Sequence, residues 1–187
     1  SLFHSTPYAR FFTIFWCLLG SCGLLASVRF VVEKRLPSGE FVGLVLFAVT
    51  GMTLLSASSS LIGLFLGLEA FTLAFYVLIA INRRCPFSAE AGLKYLLLGA
   101  VATGFLAFGI ALVYAASGTF HLPEALQGLT VDGSMRPWGL LGWGLILCAI
   151  GFKISLAPFH LWTPDVYQGT PAPVAALLAT GSKGAVV

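Results

Sequence analysis

The chain has 187 residues, of which 58% are hydrophobic and only 9% are charged, and its net charge is +3. A soluble domain keeps roughly a quarter of its residues charged so that water wets its surface, so this composition excludes a water-soluble globular protein. The small net charge is carried by scattered basic residues and gives no indication of nucleic-acid binding.

Apolar runs of about twenty residues predict an all-α, polytopic membrane protein. Such a run crosses a hydrocarbon layer of roughly 30 Å as a helix, and only helices or a closed barrel satisfy every backbone group in lipid. Barrel strands would show short alternating segments, whereas these runs are continuously apolar. We expect a single membrane domain over 1–187 with about six spans, near 11–32, 41–56, 61–81, 91–116, 138–162 (broken near 158–164) and 174–187.

The two ends of the sequence indicate a piece of a longer protein. The sequence begins with Ser1 rather than Met, and Val187 lies inside an apolar run. We therefore expect an internal fragment whose sixth span is cut short.

Charges in the predicted loops orient the spans. The loops on one side carry Lys34, Arg35, Arg83 and Arg84, whereas the long loop 117–137 on the other side carries only Arg136. Positively charged loops stay in the cytoplasm, so we expect the first side to be cytoplasmic.

Small residues at four-residue spacing indicate close helix packing. Gly63 with Gly67, and Ala100 with Gly104, follow this spacing within the third and fourth spans. In lipid, such pairs let helix backbones approach closely, so we expect a packed bundle.

Three charged residues lie deep in the predicted spans. Glu69 is in the middle of the third, Lys153 is deep in the fifth, and Lys183 is about ten residues into the sixth. An ionisable group at such depth is costly unless it is paired or hydrated, and it usually faces an interior pathway. We interpret the three as a proton relay, and the alternative is that they only lock helices together or reach toward the lipid headgroups.

Lys94 allows two interpretations. It lies one turn inside the fourth span, four residues after Glu90, and such a pair is an ordinary ion pair on a helix surface. A lysine near a helix end can also extend toward the headgroups. A role in proton transfer and a purely structural role both remain open at this point.

The fifth span is predicted to break. Pro158 cannot donate to the carbonyl of Ile154 and its ring crowds that carbonyl, while Thr163 reads as the cap of a new helix that Gly169 ends. A discontinuous membrane helix frees backbone groups that line polar sites in transporters. His160 follows Lys153 by seven residues, nearly two turns, so both would share one face before distortion. We therefore count His160 as a candidate member of the proton relay, and the alternative is a hydrogen-bonded structural histidine.

A buried lysine close to a carboxylate is suited to carrying protons. Burial disfavours the charged ammonium and a nearby carboxylate favours it. A change in the distance between Glu69 and Lys153 would therefore change how tightly Lys153 holds its proton.

Three segments resemble the NuoN-type, antiporter-like membrane subunit of respiratory complex I, the proton-pumping NADH:quinone oxidoreductase. They read LFLGLEAFTLAFYVL, EAGLKYLLLGAVATGFLAFGIALVYAASG and GFKISLAPFHLWTPDVYQGTPAPVAALLATGSKGA, and they cover most of residues 61–187. Mrp-type cation/proton antiporters and membrane hydrogenases share the FH-x-W-x-PD core. The VYQG-x-PAPV continuation and the SK of the sixth span favour the complex I subunit over those alternatives.

The resemblance implies an antiporter-like fold with inverted repeats, each containing a broken helix. It implies that Glu69 is the acid that pairs with Lys153 of the broken helix, that Lys183 passes the proton sideways, and that Lys94 matches a further lysine of the family.

The resemblance also implies a translocase subunit that binds no redox cofactor itself. NADH, FMN, iron–sulfur clusters and quinone are then expected in partner subunits. The four cysteines form no CxxC pair and no cluster with histidine, so no metal site is expected. The partners would be other complex I membrane subunits, the lipid bilayer and protons, in a bacterial inner membrane or, alternatively, an organellar one.

Overall fold

A computed structural model describes residues 3, 6–127 and 135–186 of the chain. Within these residues the regular structure is helical, apart from two isolated β-bridges. The helices are α1 (Pro7–Glu33), α2 (Ser38–Ser56), α3 (Leu61–Ile79), α4 (Pro86–Ser117), α5 (Leu122–Gln127), α6 (Arg136–Lys153), α7 (Thr163–Gly169), α8 (Ala172–Leu177) and α9 (Lys183–Val186), with a π-helical turn (Leu178–Ser182) between α8 and α9.

Four of the described helices, α1 to α4, are long and apolar enough to cross a membrane. Many of their large apolar side chains are exposed, as a lipid-facing surface requires; Phe11, Leu18, Leu25 and Val32 of α1 are each more than half exposed. The predicted fifth span corresponds to α6, which begins with Arg136 and ends with Lys153. With a charged residue at each end, α6 is not among the helices that are long and apolar enough to cross a membrane. The all-α membrane fold is confirmed, but the count of about six spans is not.

The first and fourth helices begin four to five residues before the predicted spans. Thr6 caps α1 by accepting a hydrogen bond from the Ala9 amide at 3.1 Å, and Pro7 is the first helical residue. Pro86 likewise begins α4. Proline is favoured in the first turn because the amide it lacks has no partner there. Hydropathy marks only the apolar part of a helix, so these polar first turns fall outside the predicted spans.

Reciprocal glycines hold α4 against α6. A Cβ added at Gly109 would lie 2.7 Å from the Gly142 carbonyl oxygen, and one added at Gly142 would lie 2.8 Å from the Gly109 carbonyl oxygen. Gly67 of α3 packs in the same manner against the backbone of Leu55 in α2. Gly104 takes no part in this packing among the described residues, because it is exposed and a Cβ added there would have no atom within 4 Å.

The break after α6 begins earlier than the sequence predicts. Ser155 adopts a left-handed conformation with φ of 60°. Its amide bonds to the Phe152 carbonyl at 3.1 Å, and the Leu156 amide bonds back to the Gly151 carbonyl at 2.8 Å. These two bonds form a Schellman motif, which satisfies the last carbonyls of the helix. The helix therefore ends at Lys153, before Pro158 can act, and residues 154–162 form the non-helical link to α7.

The start of α7 also differs from the prediction. Trp162 rather than Thr163 occupies the cap position, and no side chain caps the helix. Thr163 is the first helical residue, and its hydroxyl is buried without a hydrogen-bond partner among the described residues. Gly169 ends α7 as predicted.

Candidate functional site

Lys153, the last residue of α6, extends its side chain to Glu69 and Thr72 of α3. Lys153 is only 5% exposed, and its Nζ lies 3.9 Å from Glu69 Oε1. That distance is too long for a hydrogen bond. The ammonium instead donates at 2.8 Å to the Thr72 hydroxyl, which donates in turn to the Leu68 carbonyl at 2.6 Å. The predicted pair therefore forms as an ion pair with a threonine hydroxyl beside it.

Glu69 has a second partner on α4. Thr103 donates a hydrogen bond of 2.8 Å to the same oxygen, Oε1. The hydroxyl of Tyr76 is buried close by, in space that Gly99 leaves open because it has no side chain. Glu69 is thus positioned between three helices and keeps 17% of its side chain exposed.

Lys183 lies at a different point of the bundle. It directly follows the π-helical turn, and its Nζ lies 5.4 Å from the centre of the Tyr167 ring in α7. This is the range of a cation–π contact. The Tyr167 hydroxyl is buried and has no hydrogen-bond partner among the described residues. π-Helical turns occur frequently at functional sites.

Aromatic side chains pack in series beside Lys153. Phe152 stacks on Trp162. The ring centres of Trp162 and Tyr95 are 5.1 Å apart, and those of Tyr95 and Tyr76 are 5.2 Å apart. The described residues contain no unbroken series of hydrogen bonds from Lys153 to Lys183.

Lys94 makes two ion pairs rather than the single predicted one. Its Nζ lies 2.8 Å from Glu90 of the same helix and 2.8 Å from Asp165 of α7. Lys94 remains 42% exposed, so it lies at the edge of the bundle, outside the buried cluster of Glu69 and Lys153.

His160 does not share a face with Lys153. The helix ends at Lys153, and His160 lies in the link 154–162, where its side chain is exposed. Its carbonyl accepts a hydrogen bond of 3.0 Å from the Thr163 amide. The prediction of a shared face is wrong because Ser155 ends the helix before the two intended turns can form.

The sequence reasoning missed the threonines and the aspartate of this site. Thr72 is three residues after Glu69, a spacing that places both on one helix face, and this signal could have identified it. Thr103 carried no local signal. Asp165 belongs to the FH-x-W-x-PD core, but its contact with Lys94, 71 residues away, depends on how α7 packs on α4. Within the described residues, no group of three His, Cys, Asp or Glu side chains could hold a metal ion.

The fold and the site together define a class of protein: a multi-pass helical membrane protein with a lysine–glutamate pair buried beside a broken helix. The sequence matches the family described as NADH:quinone oxidoreductase/Mrp antiporter, TM, over residues 58–187. The chain belongs to this family.

Named relatives agree with this assignment. The NADH-quinone oxidoreductase subunit N of Syntrophotalea carbinolica is 58% identical over 182 residues, and that of Geotalea uraniireducens is 53% identical; each match covers 97% of this chain. A chain of respiratory complex I from Thermus thermophilus superposes with a TM-score of 0.75 and 40% identity, covering 100% of this chain and 41% of that one. The chain spans about 39% of the length of the two subunit N relatives. Its helices and these bacterial relatives place it in a bacterial inner membrane as a multi-pass protein.

Proposed function

We propose that this chain carries protons through the membrane as part of subunit N of an NADH:quinone oxidoreductase. The names of its relatives and its family support this proposal. The driving energy would come from NADH oxidation and quinone reduction in partner subunits that hold the flavin, the iron–sulfur clusters and the quinone. This chain would act as the translocase part of that assembly, in contact with other membrane subunits.

The observation that supports proton transfer most directly is the distance of 3.9 Å between Lys153 and Glu69 in a buried setting. Two unit charges at that distance interact by about 4 kcal/mol at an effective dielectric constant of about 20. Since about 1.4 kcal/mol corresponds to a tenfold change in proton binding, separating the pair could change that binding by about a thousandfold. A change of this size is sufficient to load and unload a relay.

The neighbours of the pair supply an exit for the proton. The Thr72 hydroxyl accepts from the Lys153 ammonium and can rotate toward another acceptor. The buried hydroxyls of Tyr76, Ser155 and Tyr167 have no hydrogen-bond partner within the part of the chain that the structure describes. Such groups are usually satisfied by ordered water. We therefore propose a hydrated passage from the pair toward Lys183, which lies over the Tyr167 ring.

A second candidate function is cation/proton exchange without a redox link. The description of the matched family includes Mrp antiporters as well as NADH:quinone oxidoreductases. The same buried pair would serve either activity. The two functions differ in their driving force, so an NADH-dependent measurement distinguishes them.

The test replaces Lys153 by methionine in the full-length subunit within the assembled complex. Lys34→Met is the matched control, because Lys34 lies in the exposed link between α1 and α2. Removing one partner of a buried ion pair leaves the other uncompensated and destabilises the fold. The double variant Glu69→Gln/Lys153→Met removes both charges and keeps the experiment interpretable if the single variant assembles poorly.

Assembly, NADH oxidation and proton uptake into membrane vesicles are measured together. We expect the double variant to assemble and to lose at least four-fifths of its proton translocation per NADH. The control Lys34→Met should assemble and translocate protons as the wild type does. Full translocation in the double variant would overturn the proposal. Proton uptake that follows a sodium gradient without NADH would instead establish the antiporter function.

A further inference from the structure

Asp165 in α7 is connected to α4 by an ion pair. Lys94 Nζ lies 2.8 Å from Asp165 Oδ2, across 71 residues of sequence. Its other partner, Glu90, also lies at 2.8 Å but belongs to α4 itself. Of the two ion pairs of Lys94, the one with Asp165 therefore links two separate helices. Glu90 adds a second carboxylate that orients the ammonium.

Uncharged contacts bring α7 to the same surface of α4. Trp162, which precedes α7, lies 5.1 Å from the Tyr95 ring. At the other end, a Cβ added at Gly169 would lie 2.7 Å from the Ala91 Cβ, so a larger side chain could not fit there. The three contacts run in opposite order along the two helices, and α7 is therefore held antiparallel to the first turns of α4.

Lys94 does not lie on the same side of α4 as the buried ion pair. Thr103, which binds Glu69, follows Lys94 by nine residues. Nine residues advance a helix by about 13.5 Å and turn it through two and a half turns, which places the two side chains on opposite faces. Lys94 is also 42% exposed, whereas Lys153 is only 5% exposed. The geometry separates Lys94 from the relay.

We propose that Lys94 is a positioning residue that holds the broken-helix segment α7 on α4 through Asp165, and that it does not itself carry protons. The proposal extends the proposed function and rests on it only for the transport measurement. Tyr167 lies two residues after Asp165 in a helix of seven residues. Holding Asp165 therefore also fixes the ring beneath Lys183.

Arginine in place of Lys94 separates the two roles. A guanidinium keeps its charge and its hydrogen bonds to carboxylates but does not release a proton in proteins. A proton carrier would fail as arginine, whereas a positioning residue would continue to function. Lys94→Met removes the charge and keeps the side-chain length, and Asp165→Asn removes the partner charge.

The experiment uses the assembled complex with the full-length subunit and has two measurements. Hydrogen–deuterium exchange of the amides in 163–169 reports how firmly α7 is held, independently of transport. Proton translocation per NADH reports function. Glu90→Gln is the matched control because it removes a carboxylate from Lys94 without touching the link to α7.

We expect hydrogen–deuterium exchange in α7 to rise at least fivefold in Lys94→Met and in Asp165→Asn. The double variant Lys94→Met/Asp165→Asn should show no further rise. Lys94→Arg and Glu90→Gln should keep exchange within twofold of the wild type, and Lys94→Arg should keep more than half of the translocation. Lost translocation with protected α7 amides in Lys94→Arg would overturn the proposal and make Lys94 a carrier. Unchanged exchange in Asp165→Asn would overturn it as well. The exchange result stands even if proton translocation proves independent of Lys153, so the two proposals fail separately.

Discussion

The Thr103 hydroxyl donates a hydrogen bond of 2.8 Å to Glu69 Oε1, the same oxygen that lies 3.9 Å from Lys153 Nζ. One carboxylate oxygen therefore accepts a hydrogen bond from α4 and faces an ammonium group at the end of α6. The hydroxyl holds Glu69 toward α4 while the ammonium attracts it toward the end of α6. The balance between the two groups sets the distance of the ion pair.

Replacing Thr103 by valine should release Glu69 toward Lys153. Hydrogen bonds to charged groups contribute about 1.5–3 kcal/mol, so the carboxylate would lose a substantial constraint. We expect proton translocation to fall about tenfold while assembly is kept. The infrared band of the Glu69 carboxyl group, assigned by its loss in Glu69→Gln, should shift in the purified complex.

Thr50→Val is the matched control for this change. Thr50 is exposed on α2, and its hydroxyl donates a hydrogen bond of 2.9 Å to the Leu46 carbonyl of the same helix. It should change neither the band nor the translocation. An unchanged band in Thr103→Val would show that the hydroxyl does not constrain Glu69.

The sequence predicted the helices from hydropathy and missed the features that depend on polar first turns or on tertiary contacts. Long apolar runs gave α1 to α4, because burial in lipid leaves few other structures. The end of α6 was misplaced because Pro158 has a strong local signal and Ser155 has none. A left-handed serine is uncommon, so no sequence rule would place the helix end there.

The charged members of the site were predictable, but their partners were only partly so. Glu69 and Lys153 stand out because charges are rare in apolar runs. Thr103 does not stand out, since threonine is common in membrane helices and its contact with Glu69 depends on how α3 packs on α4. The small-residue spacing at Ala100 and Gly104 did not locate the closest helix contact, because such spacings arise often by chance. The backbones of α4 and α6 approach most closely at Gly109 and Gly142.

Gly109→Val should disrupt the packing of α4 on α6. The added side chain would meet the Gly142 carbonyl, and overpacking of this kind typically costs 1–3 kcal/mol. We expect a lower yield of assembled subunit and a lower thermal midpoint of the purified complex. Gly104→Val is the control, because an added Cβ there has no neighbour within 4 Å, and it should behave like the wild type. Equal losses in both variants would contradict the proposed contact.

Replacing Ser155 by glycine should preserve the end of α6, whereas replacing it by valine should not. Its φ of 60° is open to glycine without a steric penalty, whereas a β-branched residue is disfavoured there. Ser155→Gly should keep stability within about 1 kcal/mol, since relieved strain and greater freedom of the unfolded chain oppose each other.

Ser155→Val should displace the last turn of α6 and with it Lys153, reducing translocation severalfold. Ser155→Ala, which lacks the hydroxyl but is not β-branched, should fall between the two. Thermal melting and translocation of each purified variant provide the comparison. Wild-type behaviour of Ser155→Val would mean that the left-handed residue does not determine where α6 ends.

The hydroxyl and the ring of Tyr167 should make separate contributions. The ring faces the Lys183 ammonium at 5.4 Å, and a cation–π contact of this kind contributes roughly 0.5–2 kcal/mol. Tyr167→Phe keeps the ring and removes a buried hydroxyl that has no partner among the described residues, so we expect stability to be kept. If the hydroxyl binds water in the proposed passage, translocation should fall at least twofold.

Tyr167→Leu should lower both stability and translocation, because it removes the ring as well as the hydroxyl. Tyr8→Phe, at an exposed position of α1, controls for the loss of a hydroxyl elsewhere and should change neither quantity. Thermal melting and proton uptake per NADH are measured on the same preparations. Full translocation in Tyr167→Phe would exclude its hydroxyl from the passage while leaving the contact between the ring and Lys183 intact.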